Sequence, residues 1–206
     1  MNFLSGQAFL RSRYLLAALA GLVFAGAFPN FNIAGIAWVG PALILASAYG
    51  TKGAEAFRIG YVAGFANFLA TLYWLLHMPV AGFPILCWIA MSAFLAIYPA
   101  TWVWLLAGRI GEGGWIRRSA WTLAGAAAWV ALEMIRARFL SGVPWNTVGA
   151  SQWQMLPLIQ IASVTGIYGV SFIVVWTSLA MFSGVLAMFR QPTSRYVWLS
   201  EILLPL

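Results

Sequence analysis

Residues 166–189 read GIYGVSFIVVWTSLAMFSGVLAMF, a run without one charged side chain. About 20 apolar residues wound as an α-helix match the ~30 Å hydrocarbon core of a bilayer. Buried strands and most core helices of soluble domains are shorter. The stretch therefore reads as a membrane span, and it sets the search for others. Residues 14–28, 33–49, 57–77, 85–107 and 120–135 read the same way, the first and fifth being short. A last apolar stretch starts near residue 196 and stops at 206. That is too short for the hydrocarbon core, so it reads as a partial seventh span, with the chain cut inside an element. The expected fold class is all-α: a polytopic transmembrane bundle of six spans plus a truncated seventh, forming one transmembrane domain over 1–206.

Composition supports lipid as the solvent. The chain is 63% hydrophobic and only 7% charged, against about 25% charged residues in a soluble domain. It contains no Asp, and its acids are Glu55, Glu112, Glu133 and Glu201. A net charge of +7 can signal nucleic acid. Here the cations sit in the gaps between apolar runs, which is the placement of topology signals, so no nucleic-acid partner is expected. Arg11 and Arg13, then Lys52 and Arg58, then Arg109, Arg117 and Arg118, then Arg190 and Arg195 alternate onto one side. The other side holds Arg136 and Arg138. The positive-inside bias puts the N-terminus in the cytoplasm. Ala25-Gly26-Ala27 after the first apolar stretch resembles a signal-peptide cleavage site; a first span shares those features, and it is the reading adopted. Twelve Trp suit aromatic belts at two membrane interfaces.

The connections assigned to the outside are unequal. Residues 29–32 and 78–84 are short links, whereas 137–165 is long and neither charged nor fully apolar. Loops of that length usually have a function. Non-helical backbone near lipid must be satisfied by protein or water. An extracytoplasmic interfacial loop, with a short helix or re-entrant turn packed on the bundle, is expected there. Gly60 and Gly64 form a GxxxG in an apolar run, which reads either as a close helix–helix contact or as chance in a glycine-rich chain.

Few residues suggest chemistry. Glu133 and Arg136 lie three apart, on one helix face. They read either as a structural ion pair closing the fifth span or as the polar wall of a substrate pocket, with Arg136 or Arg138 near a lipid phosphate. His77 is the sole histidine and has no orienting partner in sequence, which favours an interfacial hydrogen-bonded role. Cys87, the one cysteine, lies among Leu86, Trp88 and Ile89. It is read as a buried, inert thiol, and one cysteine excludes an internal disulfide. Lys52 reads as a topology charge. No P-loop, HExxH or GxSxG occurs, and neither a metal site nor a cofactor is expected.

The last third carries a denser pattern. Trp129, Glu133 and Arg136 are followed by Gly142-Val143-Pro144-Trp145, Gly149, Ser151-Gln152, Gln160, Gly166, Tyr168-Gly169 and Ser171-Phe172. In order and spacing this resembles the membrane domain of apolipoprotein N-acyltransferases. Phe28-Pro29 and Tyr73-Trp74 agree more loosely. The resemblance implies a multi-pass protein of the bacterial inner membrane. It implies transfer of an acyl chain from a phospholipid donor to the N-terminal Cys of a diacylated lipoprotein, with the substrates on the extracytoplasmic side. In that family a Glu–Lys–Cys triad in a following nitrilase-like domain does the chemistry. Neither Lys52 nor Cys87 lies in that motif, so no catalytic residue is assigned, and the chain is expected to be an inactive fragment by itself. The substrate- or lipid-facing candidates are Glu133, Arg136, Arg138, Trp145, Gln152 and Tyr168. The loop 137–165 is expected to serve as docking floor and lipid entry for the catalytic domain. The competing reading is a complete small non-enzymatic membrane protein: a lipid-binding or assembly subunit, or a small transporter.

Overall fold

The computed structural model describes residues 3–79, 84–110 and 113–190, with 3–11, 141 and 190 by backbone alone. Among the described residues every regular element is helical and no strand forms. The α-helices are α1 (Phe3–Ala25), α2 (Gly40–Ser47), α3 (Gly53–Thr71), α4 (Pro84–Leu95), α5 (Ile97–Ala107), α6 (Trp115–Arg136), α7 (Leu156–Ile159) and α8 (Ala162–Arg190). Short 3-10 helices occupy Ala34–Trp38, Tyr73–His77, Phe139–Ser141 and Val148–Gln152. The partial seventh stretch, 196–206, lies outside the described residues.

Two helical runs are long and apolar enough to cross a membrane: Pro84–Ala107 and Ala162–Phe189. Ser12–Ala25 is a shorter apolar helix. The first long run is α4 and α5 together, interrupted only at Ala96. Pro99 explains the break. It has no N–H to give to the carbonyl of Leu95, so the ladder loses one rung there. The Ala96 and Ala100 amides still bond to Ser92 and Ala96, at 3.0 and 3.1 Å, and carry the helix past the gap.

Residues 33–49, read as one apolar run, are divided at Val39 into a 3-10 turn and the eight-residue α2. Eight residues advance about 12 Å as an α-helix. Pro41 sits in the first turn of α2, where a missing N–H is tolerated. The amide of Ala42 donates to Ser178 Oγ on α8 at 3.1 Å, so an orphan first-turn donor is satisfied by a neighbouring helix. The long loop 137–165 resolves into two of the 3-10 turns and α7. Gly142 (φ +81°) lies on the left-handed side that L side chains avoid, and it turns the chain back so that the Val143 amide bonds to Arg136 O at 2.9 Å.

Helix α3 is central and packs against both α1 and α5, while α6 pairs with α8. Small residues set the α3–α5 distance. A Cβ added at Gly60 would come within 2.8 Å of Val103 Cβ, and one at Gly64 would strike Pro99 Cγ. The GxxxG is therefore a close helix–helix contact. Behind it lies an aromatic core. Trp102 is fully buried, donates to Gly125 O at 2.8 Å, and meets Trp129 edge-on at 4.8 Å. Phe24 of α1 packs edge-on against the same Trp129. At the end of the bundle away from Arg136, Tyr14 donates to Glu55 Oε1 at 3.0 Å, and Glu55 lies 3.8 Å from Arg58. Gly64→Ala is expected to lower stability by about 1–3 kcal/mol through overpacking against Pro99. A denaturation midpoint measured in detergent micelles checks this, and Gly114→Ala, where the added Cβ meets open space, should change little.

Candidate functional site

Helix α6 delivers both ionisable residues of the site in its last turn. Glu133 is 4% exposed and Arg136 is 5% exposed. They do not form the direct ion pair that their spacing allows; among the described residues the salt bridge within 4.0 Å is Arg58–Glu55. The carboxylate is instead engaged elsewhere through one of its two oxygens. Glu133 Oε1 accepts from Trp129 Nε1 at 3.0 Å, one turn earlier on α6. It also accepts from the backbone amide of Val148 at 2.8 Å. That amide opens the 3-10 turn Val148–Gln152 and has no carbonyl of its own turn to bond. Glu133 Oε1 thus fastens the loop to α6.

Arg136 is placed by its surroundings instead. Its guanidinium lies over the Phe68 ring of α3, 5.7 Å from the centroid, a cation–π contact strengthened by exclusion of water. Its Nε and Nη2 are buried without a protein partner, as is Glu133 Oε2. Two amides join them: Asn67 Oδ1 on α3 and Asn146 Nδ2 in the loop. All four residues line one cavity, together with Tyr98, Trp102, Trp129 and other apolar side chains. Native interiors pair nearly all such groups, so several unpaired atoms around one space mark a site rather than a packing core. Donors and acceptors are both present, and among the described residues no Ser, Thr, Cys or Lys lines the cavity.

The other candidates separate from this centre. Gln152, read as substrate- or lipid-facing, is instead fully buried. Its Oε1 accepts from Trp38 Nε1 at 2.9 Å, and its Nε2 donates to Ala34 O at 3.0 Å and to Ser151 Oγ at 2.8 Å. With every amide function engaged, it is a latch between the 148–152 and 34–38 turns. Trp145 is 39% exposed and meets Trp74 edge-on at 5.1 Å. Arg138 is exposed and donates back to Met134 O at 3.3 Å. Tyr168 is half-buried on α8. His77 is exposed, with its ring against Tyr73 at 5.8 Å. Cys87, read as a buried thiol, is exposed on α4 beside Leu86 and Ile89. The apolar side chains Ile85, Leu86 and Ile89 of α4 face away from the protein with it. Among the described residues no cluster of His, Cys, Asp or Glu has metal-ligand geometry.

Sequence reading missed Asn67 and Asn146. Asn67 had a signal, an amide inside the apolar run 57–77, and polar groups at such depth mark sites. Asn146 had none, because its place depends on the left-handed turn it makes (φ +55°). Replacing Gln152 by Ala strands the Trp38 indole N–H and the Ala34 carbonyl. A loss of about 1–3 kcal/mol is expected, read as a lower unfolding midpoint. An unchanged midpoint would contradict the latch.

Comparison with known proteins shows the family. The family described as "Apolipoprotein N-acyltransferase N-terminal domain" matches residues 20–180, which include Asn67, Glu133, Arg136, Trp145 and Gln152. Apolipoprotein N-acyltransferase from Geobacter metallireducens is 33% identical over 201 residues, covering 94% of this chain and 37% of the relative. The enzyme of the same name from Rickettsia prowazekii is 31% identical over 187 residues, covering 86% of this chain and 35% of the relative. That from Rhodopirellula baltica is 33% identical over 173 residues, covering 81% and 30%. The chain spans about a third of the length of these curated relatives. By sequence match along most of its length, the chain belongs to the apolipoprotein N-acyltransferase N-terminal domain family.

Proposed function

We propose that the chain is the membrane part of an apolipoprotein N-acyltransferase. The protein would move an acyl chain from a phospholipid to the N-terminal Cys of a diacylated lipoprotein. In this reading the bundle crosses the bacterial inner membrane about six times with its N-terminus inside. Residues 33–49 then make a broken crossing, and the Arg136 end faces outward. The acyl-transfer chemistry belongs to a catalytic domain outside these residues, and the chain supplies the lipid-embedded platform.

One observation carries the reading. Trp129, Glu133, Gly149, Ser151, Gln152 and Ser171 of the spaced pattern meet around the 148–152 turn. Trp129, Glu133 and Val148 share a carboxylate, and the Gly149 amide donates to Ser171 Oγ on α8 at 2.8 Å. A spacing pattern that folds into one connected polar network is the mark of a built feature, because unconnected matches would scatter through the bundle. The network holds the loop after α6, and that loop and the start of α7 present Trp145, Trp153 and Leu156 on the surface. Both substrates are amphiphiles, so a surface of aromatic and aliphatic groups at the membrane boundary suits their passage. Docking floor and lipid entry are assigned to the same surface.

Acyl transfer by the full-length enzyme tests this. Trp145→Ala is expected to slow transfer by at least about tenfold, since small losses of substrate positioning cost that much or more. Its exposure should leave the unfolding midpoint nearly unchanged. Wild-type transfer by this variant would remove the loop from the reaction.

A further inference from the structure

We infer that the cavity between α3, α5, α6 and the loop is a receptor for an oxyanion that carries a neighbouring hydrogen-bond donor, such as the phosphate of a lipid headgroup bearing a hydroxyl or ammonium. The inference deepens the reading above and rests on it only for where the ligand comes from; the recognition chemistry stands on the cavity itself.

Arg136 supplies the main argument. Its two unpaired nitrogens are Nε and Nη2, the side-on edge of the guanidinium. Their N–H bonds run parallel and match the two oxygens of one carboxylate or phosphate. A direct Glu133 partner would occupy that edge. Glu133 Oε1 is committed to Trp129 and Val148, and neither carboxylate oxygen comes within 4.0 Å of the guanidinium. Phe68 beneath the guanidinium fixes the plane of the fork. Asn146 Nδ2 adds a third unpaired donor on the same cavity. The result is a preorganised edge with no internal user.

The acceptors set the ligand's second property. Glu133 Oε2 and Asn67 Oδ1 also line the cavity unpaired. A bare oxyanion would be repelled by the Glu133 carboxylate, whereas one with an adjacent O–H or N–H donor satisfies both halves. Size points the same way. The cavity leaves about 30 Å³ for water-sized groups, and one water needs about 10–15 Å³ on that measure. Two oxygen-sized groups therefore fit inside, so the paired oxygens that meet the fork can enter while the rest of the headgroup and its acyl chains stay outside. Phe24, Ile44 and Trp102 line the remainder, and they keep bulk water from screening the fork.

The test uses the full chain in detergent micelles and native mass spectrometry. The probes are phosphatidylethanolamine, phosphatidylglycerol, phosphate-free diacylglycerol and inorganic phosphate alone. Phosphate-bearing lipids are expected to be retained at least about tenfold better than diacylglycerol. Arg136→Gln should abolish the preference. Arg136→Lys should lose most of it, because the charge remains without the fork. Arg58→Gln, an exposed cation at the opposite end, should keep it. Should Arg136→Gln not fold, Asn146→Ala must lower the preference severalfold. Competition by inorganic phosphate would make a soluble anion the source, and retention of lipids alone would make it a headgroup; both support the receptor. Retention indifferent to Arg136 and Asn146 would overturn it and leave a cavity that holds only water. That failure is separable from failure of the acyltransferase reading, which is judged by transfer in Trp145→Ala.

Discussion

A carboxylate taken out of water must be hydrogen-bonded where it sits, and Glu133 meets that demand at Oε1 by reaching across the chain. It collects an indole from its own helix and the first amide of a turn fifteen residues on. The loop after α6 cannot leave the bundle without stranding a buried charge. Arg136, deprived of its sequence neighbour, comes to rest on Phe68 and faces the cavity. The 148–152 turn, fastened at its start by Glu133, is fastened at its end by Gln152 to Trp38 and Ala34. Through these few bonds the end of α6, the loop, α8 and the segment before α2 become one unit.

Helix packing makes that unit possible. Gly60 and Gly64 let α5 approach α3 until backbone and side chain nearly touch. Trp102 can then reach the carbonyl of Gly125 and brace Trp129. Trp129 is therefore both a core aromatic and a donor to Glu133. The apolar bundle and the polar site share a residue, so damage to one is transmitted to the other.

Much of this was legible in the amino-acid order, for stated physical reasons. Long charge-free runs predict helices, and every regular element among the described residues is helical. The spacing of Trp129, Glu133 and Arg136 predicted a shared face, and the pattern through Phe172 pointed to the family that the comparisons show. What failed was partnership. Spacing of three residues allows Glu133 to pair with Arg136, but it cannot reveal that the Val148 amide fifteen residues on bonds to the carboxylate instead. Gln152 looked exposed because it lies in a polar loop, while tertiary contacts buried it completely. Cys87 looked buried because its neighbours are apolar, yet an apolar neighbourhood facing lipid is the same sequence signal as one facing a core. Helix breaks also escaped: Pro99 was visible, but whether a proline ends a helix or only notches it is decided by the bonds on either side.

The central claim is that the Glu133 carboxylate ties the loop to α6. Amide hydrogen exchange across residues 142–152 in the full chain tests it directly, comparing wild type with Glu133→Leu and Glu133→Gln. The account predicts faster exchange in this segment for Glu133→Leu. It predicts near-wild-type protection for Glu133→Gln, whose side-chain oxygen still accepts from Trp129 and Val148. Equal protection of the Val148 amide in all three proteins would contradict it.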